Sequence, residues 1–201
     1  MKLNIFNIWA VCILTAQFSF AQINFENVPL GSVTGNIETV FQFYQEDSSI
    51  NAQVPPEKIG MNSFANVNYT NGKFKAGVRF ESYLPALLGY PERFRGSGIG
   101  YRYAGYSGDK LDVTVGNFYD QFGSGMVFRA FEERQLGIDN AMDGVHLKYR
   151  PYKGIELKGF VGKQRYEFDS RIVNGPGIIR GIDGDLSLSQ IITRLDTTGW
   201  D

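Results

Sequence analysis

Residues 74–81 read Phe74-Lys75-Ala76-Gly77-Val78-Arg79-Phe80-Glu81, with apolar and polar positions in strict alternation. A period of two puts Phe74, Ala76, Val78 and Phe80 on one face of a strand and Lys75, Arg79 and Glu81 on the other. The beat recurs downstream. Ile99, Tyr101 and Tyr103 alternate with Gly100, Arg102 and Ala104, and Leu111, Val113 and Val115 with Asp112, Thr114 and Gly116. Val145, Leu147 and Tyr149 alternate with His146, Lys148 and Arg150. Upstream, Ile37, Phe41 and Phe43 alternate with Asn36, Glu38 and Gln42, although Thr39 and Val40 blur the pattern. Strands are predicted at about 31–45, 59–70, 73–82, 97–106, 111–119, 126–132, 145–150, 155–165 and 182–194, and runs of about ten residues can cross a bilayer when tilted.

The punctuation agrees. The seven prolines fall between the alternating runs, as ladder bonding requires. Thr70-Asn71-Gly72 reads as a hairpin turn with Asn-Gly at its centre. Ser107-Gly108-Asp109 and Pro151-Tyr152-Lys153-Gly154 make two further reversals. Connections therefore alternate between long (47–58, 83–96, 120–144) and short (70–72, 107–109, 151–154). Transmembrane barrels have this asymmetry, and a soluble Greek-key sandwich has no reason for it. One face carries no charge while the other mixes both signs with Gly and Thr, which suits lipid outside and water inside. Tyr69, Tyr83, Tyr90, Tyr106, Tyr119, Tyr149 and Tyr152 fall near strand ends, where an interfacial girdle sits. The fold expected is all-β, an antiparallel up-and-down transmembrane β-barrel. A secreted sandwich with its faces reversed is the alternative.

Composition narrows the setting. The 201 residues hold 20 Lys+Arg against 21 Asp+Glu, one His and one Cys, with 43% hydrophobic and 20% charged residues. That is too apolar for a disordered chain, and the near-neutral balance gives no reason to expect nucleic acid as a partner. One His and one Cys exclude an HExxH zinc protease, a CxxC knuckle and a disulfide framework. Lys2, the mostly apolar stretch Ile5 to Phe20 and the small residues of Ser19-Phe20-Ala21 form a signal peptide, with cleavage expected before Gln22. Residues 22–201 would then carry the barrel strands, and the only cysteine, Cys12, would leave with the leader. An exported chain without cysteine fits a bacterial envelope protein better than a small disulfide scaffold, which leaves a periplasmic protein, a secreted one or an outer-membrane barrel.

The runs Glu81-Ser82-Tyr83-Leu84-Pro85 and Gly98-Ile99-Gly100-Tyr101-Arg102-Tyr103-Ala104, and above all Gly116-Asn117-Phe118-Tyr119-Asp120-Gln121-Phe122-Gly123-Ser124-Gly125, carry a resemblance. With Arg129-Ala130-Phe131-Glu132-Glu133-Arg134, Gly137-Ile138-Asp139-Asn140 and Asp143-Gly144-Val145, they resemble an uncharacterised, domain-of-unknown-function outer-membrane β-barrel family typical of Bacteroidetes. The resemblance implies location and architecture, and no activity. Its members are longer, and no final strand with a terminal aromatic closes this sequence. The chain is therefore expected to be the N-terminal part of a larger barrel, since an open edge in a bilayer has no water to bond. A complete eight-stranded barrel is the alternative.

The segment 120–144 is the most functional-looking stretch. It gathers Arg129, Glu132, Glu133, Arg134, Asp139, Asn140 and Asp143, and a loop folding inward with mixed charges would form a selective constriction. An ordinary charged surface loop is the competing reading. Lys75, Arg79, Glu81, Arg102, Asp112, Lys148 and Arg150 are the expected lumen-facing strand charges, lining a channel or pairing to fill a narrow one. Asp139-Asn140, Asp143-Gly144 and Asp183-Gly184-Asp185 lack the oxygen spacing of a calcium loop. His146 has no Gly-x-Ser-x-Gly elbow to serve, and Gly96-Ser97-Gly98-Ile99-Gly100 opens a strand instead of a phosphate-binding helix. No enzyme chemistry, metal or cofactor is expected. The expected role is porin-like passage of small solutes, or else a non-conducting structural or docking barrel in an envelope complex. The partners are the lipid bilayer, the barrel-assembly machinery during insertion, and a small solute or envelope proteins.

Overall fold

The computed structural model of the chain describes residues 30–46, 49, 54–168 and 177–191. The expected signal peptide 1–21, its expected cleavage position and residues 192–201 lie outside them. The chain is all-β. Eight strands form one antiparallel sheet: β1 (Ser32–Phe43), β2 (Ile59–Asn71), β3 (Phe74–Ser82), β4 (Ser97–Ser107), β5 (Leu111–Phe118), β10 (Met142–Tyr152), β11 (Ile155–Gln164) and β12 (Ile179–Leu186). Neighbours in the sheet follow chain order, interrupted once between β5 and β10. The intervening excursion holds two short ladders, β6 (Asp120–Gln121) with β7 (Arg129–Ala130) and β8 (Glu132–Glu133) with β9 (Ile138–Asp139). Among the described residues the sheet is open, with β1 and β12 at its edges. No helix among them is long and apolar enough to cross a membrane.

Several boundaries differ from the sequence expectation. The strand predicted at 126–132 is replaced by the two-residue β7 and β8. The one predicted at 182–194 runs 179–186 and passes into a four-residue helix, α1 (Leu188–Ile191). The hairpin loop after β2 is Gly72-Lys73, one residue beyond Asn71-Gly72, with Gly72 at φ +56. Pro151 lies inside β10 and not between strands. The ladder tolerates it because the register shifts between Tyr149 and Tyr152, so no bond from its nitrogen is needed.

One irregularity redirects side chains. β3 and β4 pair as Val78 with Arg102 but as Phe80 with Ile99, and the extra residue of β4 is a bulge at Gly100. A Cβ on Gly100 would overlap the Glu81 carboxylate. Because a one-residue slip exchanges the two faces of a strand, Tyr101 and Tyr103 share the side of Arg79, and Arg102 shares the side of Val78. The expected alternation of Ile99, Tyr101 and Tyr103 is thus broken after Ile99. The expected placement of Arg102 among the lumen-facing charges is corrected with it.

Following the register through all eight strands defines two faces. The apolar face carries Ile37 and Phe41, Val67 and Tyr69, Val78 and Phe80, Val113 and Val115, Val145 and Leu147, Leu157 and Val161, and Ile182. Nothing among the described residues covers it: Ile37 is 81% exposed and Ile182 88%. Tyr69, Phe74, Tyr106, Tyr149 and Tyr152 gather on or beside it at the short-turn end, with Phe74 and Tyr106 in edge contact. Tyr83, Tyr90 and Tyr119 leave the expected girdle. Tyr83 is buried, Tyr90 stacks on it, and Tyr119 turns to the opposite face.

Candidate functional site

The polar face is where the excursion packs. Its β6–β7 hairpin docks through Phe122 and Phe128 onto Phe160, next to buried Phe118, Ala130 and Met142. Gly181 on β12 leaves room for Phe122 and Phe160, since a Cβ there would meet both rings at 2.7 Å. A second aromatic cluster, Phe64, Tyr83 and Phe94 with Tyr90 and Phe168, forms where the 83–96 connection folds onto β2. Burying a Phe of this kind stabilises by about 1.5–3 kcal/mol, so the first cluster fastens the β6–β7 end of the excursion, while the second fixes the 83–96 connection, whose Pro91 and Tyr90 lie against Gly137 of the excursion.

Between them lies a buried network of charge. Arg79 on β3 donates through Nε to Glu81 (2.6 Å), through Nη1 to Glu132 (2.9 Å) and through Nη2 to Asp139 (3.3 Å). Arg165, just past β11, donates to Asp139 (2.6 Å) and to Glu81 (2.9 Å). Strands β3 and β11 are four positions apart, about 19 Å in a flat sheet. The pair forms because residues 165–168 turn in over the polar face, where the Phe168 N–H donates to the Arg93 carbonyl. Tyr119 donates to Asp139 (2.9 Å) and stacks on Tyr101, over which the Arg79 guanidinium lies. Burial pushes the Asp139 carboxyl above the usual range, with Glu81 and Glu132 adding to it against the pull of Arg165 and Arg79. Burial is the largest single influence on Arg165 and works against its charge, but the hydrogen bond and charge of Glu81 and the charge of Asp139 together outweigh it and push the guanidinium above its usual value.

Two smaller charge groups flank the network. His146 on β10 hydrogen-bonds Asp120 (2.8 Å), and Lys158 stands 3.6 Å from the same carboxylate. Burial would raise Asp120, yet the His146 hydrogen bond, the Gln121 N–H and Lys158 together hold it below the usual range. At the short-turn end, Arg150 pairs with Asp112 (2.8 Å) and Glu156 (3.6 Å), and Lys148 with Glu156 (3.5 Å).

The residues singled out from sequence therefore divide. Glu132, Arg134 and Asp139 meet Arg79 and Glu81 in one cluster, with Arg134 bonded to Glu132 (3.1 Å) and to Glu38 on β1 (2.6 Å). Asp112, Lys148 and Arg150 form the separate turn-end group. Lys75 and Glu133 are exposed and lie outside both. Arg129 is exposed over the Phe131 ring. Asn140 braces the excursion by accepting the Phe131 N–H (2.6 Å) and donating to the Arg129 carbonyl. Asp143 sits on the apolar face, 3.4 Å from Arg102, because it opposes Asn117 and stands two residues from Val145 on the same face of β10. Its place in a constriction is corrected along with that of Arg102.

Arg165, Tyr119 and the His146–Asp120 pair were not singled out for this site from sequence. Arg165 follows a strand end with no motif around it, and its partner Glu81 lies 84 residues earlier. From sequence Tyr119 reads as an interfacial aromatic, and no local motif marks its contact with Asp139.

No curated protein matches the chain. A family profile does match, over residues 1–199, and by that match the chain belongs to DUF6029, a family of unknown function.

Proposed function

We propose that this is a Gram-negative outer-membrane β-barrel protein, exported by its N-terminal signal peptide, whose polar face lines a passage for small solutes. The observation that carries the reading is which face the chain covers. In water, a sheet buries its apolar face and leaves charges outside. Here the excursion packs over the charged face, while a continuous apolar face across eight strands stays bare, with Phe41 67% and Val67 53% exposed. That arrangement is inside out for a soluble domain and suited to lipid. Strands of 8–13 residues have the length to cross a bilayer. The tyrosines at the short-turn end fit an interfacial belt.

On this reading residues 119–141 form the constriction, and the protein performs no reaction and holds no cofactor. Single-channel conductance of the full-length product in a planar bilayer tests it. Steady openings are expected, with ion selectivity that shifts when Arg134 is neutralised by Arg134→Gln. A protein that inserts, resists protease and stays electrically silent would overturn passage.

One observation favours a second reading, a structural or docking barrel within an envelope complex. Arg79, Glu81, Asp139 and Arg165 are almost wholly buried, so the excursion is fastened down and fills the space above the sheet. Such a scaffold would be indifferent to neutralising Arg129 and Arg134. It would instead lose its envelope partners when the connections at 47–58 or 83–96 are shortened.

A further inference from the structure

Beside the buried network, the polar face opens into a cavity of about 480 Å³ between β1, β2, the 83–96 connection and the 3-10 turn Arg134–Leu136. We infer that this cavity binds a short zwitterionic peptide with apolar side chains. The proposal rests on the reading of this face as solute-lined and names the class of solute.

Two features of the wall carry it. Arg134 is held on three sides. Its Nη1 donates to Glu38, its Nε to Glu132, and its guanidinium carbon lies 4.2 Å from the Phe64 ring centroid. Among the described residues Nη2 has no acceptor, and the second oxygen of Glu38 has no donor. A fixed cation and a fixed anion, each with hydrogen-bonding capacity to spare, thus stand side by side. Their charges cancel, so neither a simple anion nor a simple cation is favoured. A ligand carrying both a carboxylate and an ammonium completes both partners with charge-assisted bonds.

The second feature is apolar. Leu136, Leu88 and Val40 line the same cavity and are 68%, 62% and 42% exposed on a face otherwise rich in charge and amide. A wall of this kind removes side chains of a bound solute from water, which a neutral sugar does not need. The volume lies in the range of ordinary small-molecule sites and exceeds what a single amino acid fills.

Isothermal titration of the whole chain, refolded in detergent, with leucyl-leucine as the probe tests the inference. The free dipeptide should bind at least about tenfold more tightly than its N-acetylated, C-amidated form, because each lost charge-assisted bond is worth that much or more. Arg134→Gln and Glu38→Gln should each weaken binding to a similar degree. Arg134 also anchors the excursion, so a second variant guards against simple unfolding. The exposed pair Leu88→Ser with Leu136→Ser should weaken binding severalfold and leave the unfolding midpoint unchanged. Absence of binding at millimolar dipeptide, equal binding of the blocked form, or tighter binding of a neutral disaccharide would overturn the proposal. Dipeptide binding by a protein that never conducts would remove passage and leave this site standing. Steady conductance without dipeptide binding would remove the site and leave passage standing.

Discussion

The network under the excursion and the charge group at the short-turn end pair basic with acidic side chains at comparable separations and differ in what lies above them. In the network under the excursion, the side chains of Arg79, Glu81, Arg165 and Asp139 are 7%, 0%, 3% and 5% exposed. At the short-turn end, those of Arg150, Asp112, Lys148 and Glu156 are 27–32% exposed. Water screens the second group and is largely kept from the first. An ion pair in the open is worth roughly 0–1 kcal/mol. A buried one is costly to break, because its surviving partner stays desolvated without a counter-charge. The comparison therefore forecasts opposite sensitivities to equivalent mutations.

Arg165→Ala should have the largest effect. It leaves three buried or half-buried carboxylates, Glu81, Asp139 and Glu132, sharing the single guanidinium of Arg79, and urea unfolding of the detergent-refolded protein should show a loss of about 3–5 kcal/mol. A loss below about 1 kcal/mol would erase the distinction between the clusters. Next comes Gly100→Ala, whose Cβ overlaps the Glu81 carboxylate. It should cost about 1–3 kcal/mol, and less in a Glu81→Ala background, a coupling that a double-mutant cycle reads directly.

The third test uses pH. Asp120 is held below its usual range in the folded state. Its contribution is therefore complete above the unfolded value of about 4 and is lost as the pH falls through the folded value. Asp120→Asn should flatten the decline of stability on acidification below about pH 4, as thermal unfolding across an acid series would reveal. A decline of unchanged steepness would remove the His146–Asp120 pair from the account. The smallest effect belongs to Arg150→Ala, which should cost less than about 1 kcal/mol and shrink further in high salt.

Much of the sheet could be read from alternation, because a pleat with one apolar face writes its period into the chain. The short turns are legible to within two residues, and the excursion is legible as the place where the period fails. Three things escaped for definite reasons. The bulge at Gly100 adds one residue without disturbing the local composition, so Arg102 reads as a polar-face residue when it shares the apolar face with Val78. Asp143 stands at the start of β10, where the face is set by pairing with Asn117 and not by the residues around it. Arg165 joins Glu81 only through the fold, and no local pattern announces a contact between such distant positions. The candidate site was thus half visible: its excursion and strand charges could be located, and the group that joins them could not.

That long-range junction also has a bearing on time. The three tight hairpins of the sheet, β2–β3, β4–β5 and β10–β11, join neighbours in sequence and close short loops, which are rapid events. Glu81, in contrast, waits for a guanidinium that arrives only after β11 has been laid down. The junction is therefore expected to be the late event of assembly, and late contacts govern escape from the folded state more than entry into it. Arg165→Lys should accordingly speed unfolding more than it slows refolding, and a larger change in the refolding rate would place the junction early instead. If the junction does form late, the buried salt network acts as the latch that makes a finished sheet slow to come apart.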